Sequence, residues 1–103
     1  MAKKLIISPS AERDINEAYD WYEGRSAGLG ENFRRQLNDS IEAICQRPMM
    51  FELVVDDYRR AIVKTFPYAV FFKHKADRIV VDAVFHCSQD PEKWRSRLSG
   101  GGA

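Results

Sequence analysis

The spacing of apolar residues changes near Pro48 from a helical to a strand-like pattern, and this change constrains the fold more than any other feature of the chain. Before Pro48, apolar residues recur every three or four positions, as in amphipathic helices. The two stripes consist of Ala11, Ile15, Ala18, Tyr19 and Tyr22, then of Leu29, Phe33, Leu37, Ile41 and Ile44. Because a glycine-rich joint separates them, we predict an antiparallel helical hairpin over residues 10–24 and 29–47.

After Pro48, residues rich in Val, Ile, Phe and Tyr predict three strands over residues 58–64, 68–75 and 78–87. A short apolar run over residues 3–8 predicts an additional strand at the start, and Asp90-Pro91 opens a final helix that ends at Leu98. The order β-α-α-β-β-β-α indicates an α+β fold with the αα hairpin packed on one face of a small antiparallel sheet. We expect one domain over residues 1–98 and a flexible Gly-rich tail over residues 99–103.

Charge is unevenly distributed along the 103 residues, although the net charge is only +1. Residues 1–57 hold 7 Lys or Arg and 11 Asp or Glu, whereas residues 58–103 hold 9 and 4. The near-neutral total argues against a histone-like nucleic-acid binder, and the basic second half suggests an anionic partner. No apolar run approaches the roughly 18–20 residues that span a membrane. We therefore expect a cytoplasmic protein with no membrane association.

The sequence predicts no metal site and no cofactor. Cys45 and Cys87 form no CxxC pair and are interpreted as two small buried thiols. His74 and His86 would lie at opposite ends of a β-hairpin, about 20 Å apart. Their spacing relative to the cysteines resembles no zinc motif.

Strand alternation predicts which side chains share a face of the sheet. With a tight turn at Ala76 and Asp77, one face carries Tyr68, Val70, Phe72, Val81, Ala83 and Phe85, and this set predicts the core. The other face would be open and would gather Arg60, Ile62, Lys64, Phe71, Lys73, Asp82, Val84 and His86. This face is either a solvated surface or a site for an anionic ligand, with Phe71 available for stacking on single-stranded RNA. Trp21 lies off the helical stripe and is expected to cover an edge or a partner site.

In their order, several segments resemble the RelE/ParE superfamily of toxins from bacterial type II toxin–antitoxin modules, often labelled plasmid stabilisation proteins. The segments are residues 5–11 (LIISPSA), Trp21-Tyr22, residues 58–61 (YRRA), 66–72 (FPYAVFF) and 79–86 (IVVDAVFH), Asp90-Pro91 and Trp94-Arg95. The resemblance covers about residues 3–98. It implies a growth-inhibiting toxin that a cognate antitoxin neutralises, and a possible toxin–antitoxin hetero-oligomer.

The superfamily divides by target, and the residues leave both branches open. A RelE-like toxin is a ribosome-dependent mRNA interferase, a metal-independent endoribonuclease. In that case Arg60 would hold the phosphate, His86 would act as acid or base, and Lys64 would add charge.

A ParE-like toxin inhibits DNA gyrase without cleaving RNA, and we prefer this branch for two reasons. The net charge is modest, and no Tyr follows Tyr68 where some ribonuclease members carry a catalytic one. The residues that would bind the target or a phosphate are Arg59, Arg60, Lys64, Phe71, Lys73, Lys93, Arg95 and Arg97. A third possibility is a degenerate member that binds an antitoxin without toxicity.

Overall fold

The computed structural model describes residues 4–99, which form one mixed sheet and three α-helices. The elements are β1 (Lys4–Ile7), α1 (Pro9–Arg25), α2 (Leu29–Gln46), a 3-10 turn (Pro48–Met50), β2 (Glu52–Val55), β3 (Tyr58–Ile62), β4 (Tyr68–Lys75), β5 (Arg78–His86) and α3 (Pro91–Ser99). The predicted α+β fold is therefore confirmed. Ser99 is the last residue of α3, and residues 100–103 of the predicted tail lie outside the described residues.

The αα hairpin forms where its two apolar stripes predict it. Ser8 caps α1 by accepting a hydrogen bond from the Ala11 N–H at 3.2 Å, and Pro9 occupies the first helical position. At the joint, the Glu23 carboxylate accepts from the N–H groups of Gly28 and Gly30, both at 2.9 Å. Gly28 adopts a φ of +90°, which favours glycine. The hairpin therefore turns at the glycine-rich joint, as predicted.

The sheet has five strands in the order β1-β5-β4-β3-β2. The predicted antiparallel sheet is wrong at one edge, because β1 runs parallel to β5. The chain also forms a strand that the sequence analysis missed, β2, which pairs with β3 at the opposite edge. This strand is only four residues long and half-exposed, so its pattern was too short to recognise. No helix within residues 4–99 has the length and apolar character needed to cross a membrane.

A β-bulge at Asp82 changes which residues of β5 share a face. From the turn to Phe72 and Val81 the register is the predicted one, but Phe71 then pairs with Ala83. Beyond the bulge, the inferred faces of β5 are reversed. Val84 packs in the core under the αα hairpin, whereas Ala83 and Phe85 belong to a second apolar cluster on the other side. The predicted placements of Ala83, Phe85, Val84 and His86 are therefore wrong. The expectation of two buried thiols is also wrong, because Cys45 is half-buried and Cys87 is exposed.

The sheet face opposite the αα hairpin is partly covered, which corrects the expectation of an open face. There α3 packs Trp94 and Leu98 onto β4 and β5. Phe71 is only 1% exposed, and its ring stacks on Trp94 at a centroid distance of 4.7 Å. Phe71 is therefore a core residue, and the prediction that it offers a stacking surface to RNA is wrong. We call this side of the sheet the α3 face.

The Tyr58 hydroxyl donates a hydrogen bond to the Asp82 carboxylate at 2.7 Å and so ties β3 to the bulge. Burial, together with this carboxylate, raises the pKa of Tyr58. The folded protein then retains the Tyr58 proton above about pH 10, where an unfolded tyrosine loses it. Stability that is fully present below pH 10 should therefore decline as the pH rises above it.

We expect Tyr58→Phe to lower the free energy of unfolding by about 1 kcal/mol at pH 7, because one buried hydrogen bond is lost. Between about pH 10 and 12, the stability of the variant should decline less steeply than that of the wild type. Urea titrations at several pH values measure both effects. Tyr19, Tyr22 and Tyr68 also have raised pKa values, but they are present in both proteins. The difference between the two curves of stability against pH therefore reports Tyr58. Parallel stability curves above pH 10 would contradict this expectation.

Candidate functional site

The residues proposed for RNA cleavage lie on both faces of the sheet. Arg60 pairs with Phe71 across β3 and β4, so its side chain projects on the α3 face. His86 pairs with Tyr68, and their rings meet edge to face at 5.1 Å on the side of the αα hairpin. Arg60 and His86 therefore point in opposite directions from strands that β4 separates.

Arg59, Arg60 and Lys64 lie along β3 and the loop after it. Arg60 forms an ion pair with Glu52 of β2, and the Arg59 guanidinium donates to the Phe51 carbonyl at 2.6 Å. Lys64 lines a groove of about 300 Å³ between α2 and β3. Since Arg60 already has a carboxylate partner and Arg59 holds backbone, these three cations do not converge on one anion.

His86 lines a groove at the end of the sheet, between α1, β5 and α3. This groove has a volume of about 470 Å³ and is lined by Asp14, Glu17, Ala18, Trp21, Tyr68, Val84, Phe85, His86, Ser88, Gln89 and Arg97. Trp21 is 55% exposed at its rim, and its expected role at an edge or partner site stays a prediction. The His86 Nδ1 accepts from the Ser88 N–H at 3.0 Å, so the neutral ring carries its proton on Nε2. Apolar side chains and charged groups of both signs line the groove, and this combination suits a protein side chain.

Arg97 and Asp14 form a bidentate ion pair that joins α3 to α1. The guanidinium donates to the two carboxylate oxygens at 3.0 and 2.6 Å and to the Asp82 carbonyl at 3.0 Å. Asp14 also accepts from the Val84 N–H at 2.9 Å. Arg97 is predicted to contact a target; its side chain is 27% exposed and is held by Asp14 and the bulge. Asp14 was missed, because its pattern is that of an ordinary polar helix position.

The other predicted cations lie on the α3 face or on α3 itself. Lys93 and Arg95 are exposed on α3, and the Arg95 guanidinium lies 5.1 Å from the Trp94 ring centroid. The Lys73 ammonium lies 4.7 Å from the Tyr58 ring centroid. Within residues 4–99, no three His, Cys, Asp or Glu residues gather into a possible metal site. The predicted cations therefore lie in separate places on the described surface.

Known proteins resemble this chain over most of its length. The profile of the family described as "ParE toxin of type II toxin-antitoxin system, parDE" matches residues 5–91. Toxin ParE2 from two strains of Mycobacterium tuberculosis is 24% identical over 101 residues, which cover 97% of this chain and 96% of the relative.

Two solved structures share the fold. A chain of the chromosomal ParDE system from P. aeruginosa superposes with a TM-score of 0.73 at 15% identity, covering 82% of this chain and 96% of the other. The isolated E. coli RelE toxin superposes with a TM-score of 0.59 at 16% identity, covering 92% and 95%. The resemblance to the RelE/ParE superfamily is thus confirmed. The chain belongs to the ParE toxin family of type II toxin–antitoxin systems.

Proposed function

We propose that this toxin inhibits growth by binding a protein target, DNA gyrase, and that it does not cleave RNA. A cognate antitoxin is its partner in the toxin–antitoxin complex. The observation that carries the proposal is the projection of Arg60 and His86 from opposite faces of the sheet.

Attack of a ribose 2′-hydroxyl on the adjacent phosphate requires a base, an acid and a stabilising cation around one phosphorus atom. A catalytic group must lie within hydrogen-bond reach of the atom it serves, about 2.6–3.2 Å. Two strand spacings of about 4.8 Å each already separate the backbones of β3 and β5. Since the side chains of Arg60 and His86 also project to opposite faces, this geometry argues against their acting on one phosphate.

The surface supports recognition of a protein. Trp21 is exposed beside the 470 Å³ groove that also contains His86. Exposed aromatic residues are enriched at protein interfaces, because a rigid ring buries much area at a low entropic cost. Lys93 and Arg95 add positive charge on α3, which borders the same end of the molecule. A net charge of +1 gives little general attraction to a nucleic acid.

The test compares Trp21→Ala with Arg60→Ala and His86→Ala during induced expression without antitoxin. We expect growth arrest with intact mRNA, retention of arrest in the Arg60→Ala variant, and its reduction in the Trp21→Ala variant. Gyrase supercoiling assays with the purified proteins should give the same order. Cleaved mRNA that disappears in both the Arg60→Ala and the His86→Ala variants would show a ribonuclease. No growth effect from a folded wild-type protein would show a degenerate member.

A further inference from the structure

We propose that the part of the α3 face left uncovered by α3 docks a segment of the antitoxin that combines carboxylate and apolar side chains. This inference rests on the antitoxin partnership stated above. The surface lies at the turn between β4 and β5, and we call it the β4–β5 turn face. It consists of Lys4, Ile6, Lys73, Lys75, Arg78 and Val80.

Three cations form one row across this face. Lys4 is the register partner of Arg78 in the parallel pair, and Arg78 is the partner of Lys75 in the antiparallel pair. Register partners project on the same face, and neighbouring strands lie about 4.8 Å apart. Like charges directly opposite each other destabilise a sheet. Repulsion within the row therefore lowers the stability of the fold. An anion bound beside the three cations would reduce this repulsion.

The neighbouring carboxylates leave this row positive. Asp57 lies 3.3 Å from the Lys75 ammonium, but both side chains are more than half exposed, so the ion pair is weak. The Asp82 carboxylate accepts from the Tyr58 hydroxyl and lies beyond the row. Within residues 4–99, neither Lys4 nor Arg78 forms an ion pair, even though Asp77 occupies the turn beside them.

An apolar row lies next to the cations. Ile6 and Val80 are register partners and both are half-buried. Neither belongs to the core under the αα hairpin or to the cluster under α3. A shallow cleft of about 390 Å³ runs along β4 and β5 beside Val80 and is lined by Lys73, Lys75, Arg78 and, on the side away from the turn, Asp82.

The combination of rows favours a protein segment over a nucleic acid. A phosphate backbone would use the cations but would gain nothing from Ile6 and Val80. A segment that presents carboxylates two residues from apolar side chains would use both rows, since successive same-face positions along a strand are about 6.8 Å apart. The antitoxin is the partner that the family assigns to this chain, and we expect the segment of it that docks here to be acidic.

Arg78→Glu tests the inference, because it places a carboxylate between Lys4 and Lys75. The row then alternates in charge, so the melting temperature of the isolated toxin should rise by about 2–4 °C. The probe is a fluorescein-labelled peptide in which glutamate and valine alternate at every second position with serine between them, so that both lie on one face of the extended chain. Its affinity for Arg78→Glu should be about tenfold lower than for the wild type at low salt. Arg13→Glu, an equal charge change at an exposed position of α1, should leave the affinity within about twofold.

The same peptide should fail to bind the toxin purified in complex with its antitoxin, because the face is then covered. Equal affinity of the Arg78→Glu and wild-type proteins, or undiminished binding to the complex, would overturn the inference. Reduced affinity for a DNA duplex together with unchanged affinity for the peptide would also overturn it. Growth arrest is measured separately without antitoxin. If the wild-type protein causes no arrest, the proposed function is refuted. Whether the antitoxin docks on this face is decided by the binding data alone.

Discussion

Asp14→Ala is expected to lower the free energy of unfolding by about 3 kcal/mol, because it leaves Arg97 without its carboxylate partner inside the fold. The two side chains are 14% and 27% exposed, so water cannot fully replace the lost contacts. The Val84 N–H loses its acceptor in the same variant. An unsatisfied buried donor alone costs about 1–3 kcal/mol.

Chemical denaturation followed by circular dichroism measures the loss, and Asp20→Ala is the matched control. Asp20 is an exposed carboxylate on the same helix and should change stability by no more than about 0.5 kcal/mol. Asp14→Asn keeps an acceptor oxygen and should fall between the two. If Asp14→Ala were no less stable than Asp20→Ala, the ion pair would have no structural role.

The αα hairpin could be predicted from sequence because each of its signals is local. Ser8 and Pro9 begin α1, and the stripes repeat over about three turns in α1 and four in α2. Gly28 supplies a left-handed conformation that other residues resist. The faces of β3, of β4 and of the turn-proximal part of β5 also follow from simple alternation. These elements need no knowledge of contacts distant in sequence.

The faces of β5 could not be predicted, because the bulge at Asp82 depends on partners far along the chain. Its carbonyl accepts from Arg97, and its carboxylate accepts from Tyr58. Neither contact leaves a local sign in the sequence, yet together they reverse the side on which His86 projects. The predicted cluster of Arg60, Lys73 and His86 is therefore wrong, because one extra residue in β5 places His86 on the other face. The covering of Phe71 by α3 was missed for a similar reason, since a short helix shows too few turns to reveal which face it buries.

Trp94→Ala is expected to lower the free energy of unfolding by about 3 kcal/mol, because it removes the main apolar contact between α3 and the sheet. Trp94 is 8% exposed and stacks on Phe71 with an interplanar angle of 26°. Its loss would expose Phe71 and weaken the position of Arg97, which is on the same helix. Urea denaturation followed by circular dichroism measures the change.

The chain contains only one other tryptophan, and this makes Trp21→Ala a matched control. The same atoms are deleted, but Trp21 is 55% exposed and should cost less than about 1 kcal/mol. Hydrogen exchange should then be faster at the α3 amides in the Trp94→Ala variant and unchanged there in the Trp21→Ala variant. Equal destabilisation by the two replacements would mean that the cluster under α3 is not a second core. Reduced growth arrest in the Trp21→Ala variant at nearly unchanged stability would then indicate that Trp21 contacts the target. A large loss of stability in the Trp94→Ala variant would indicate that Trp94 holds the fold.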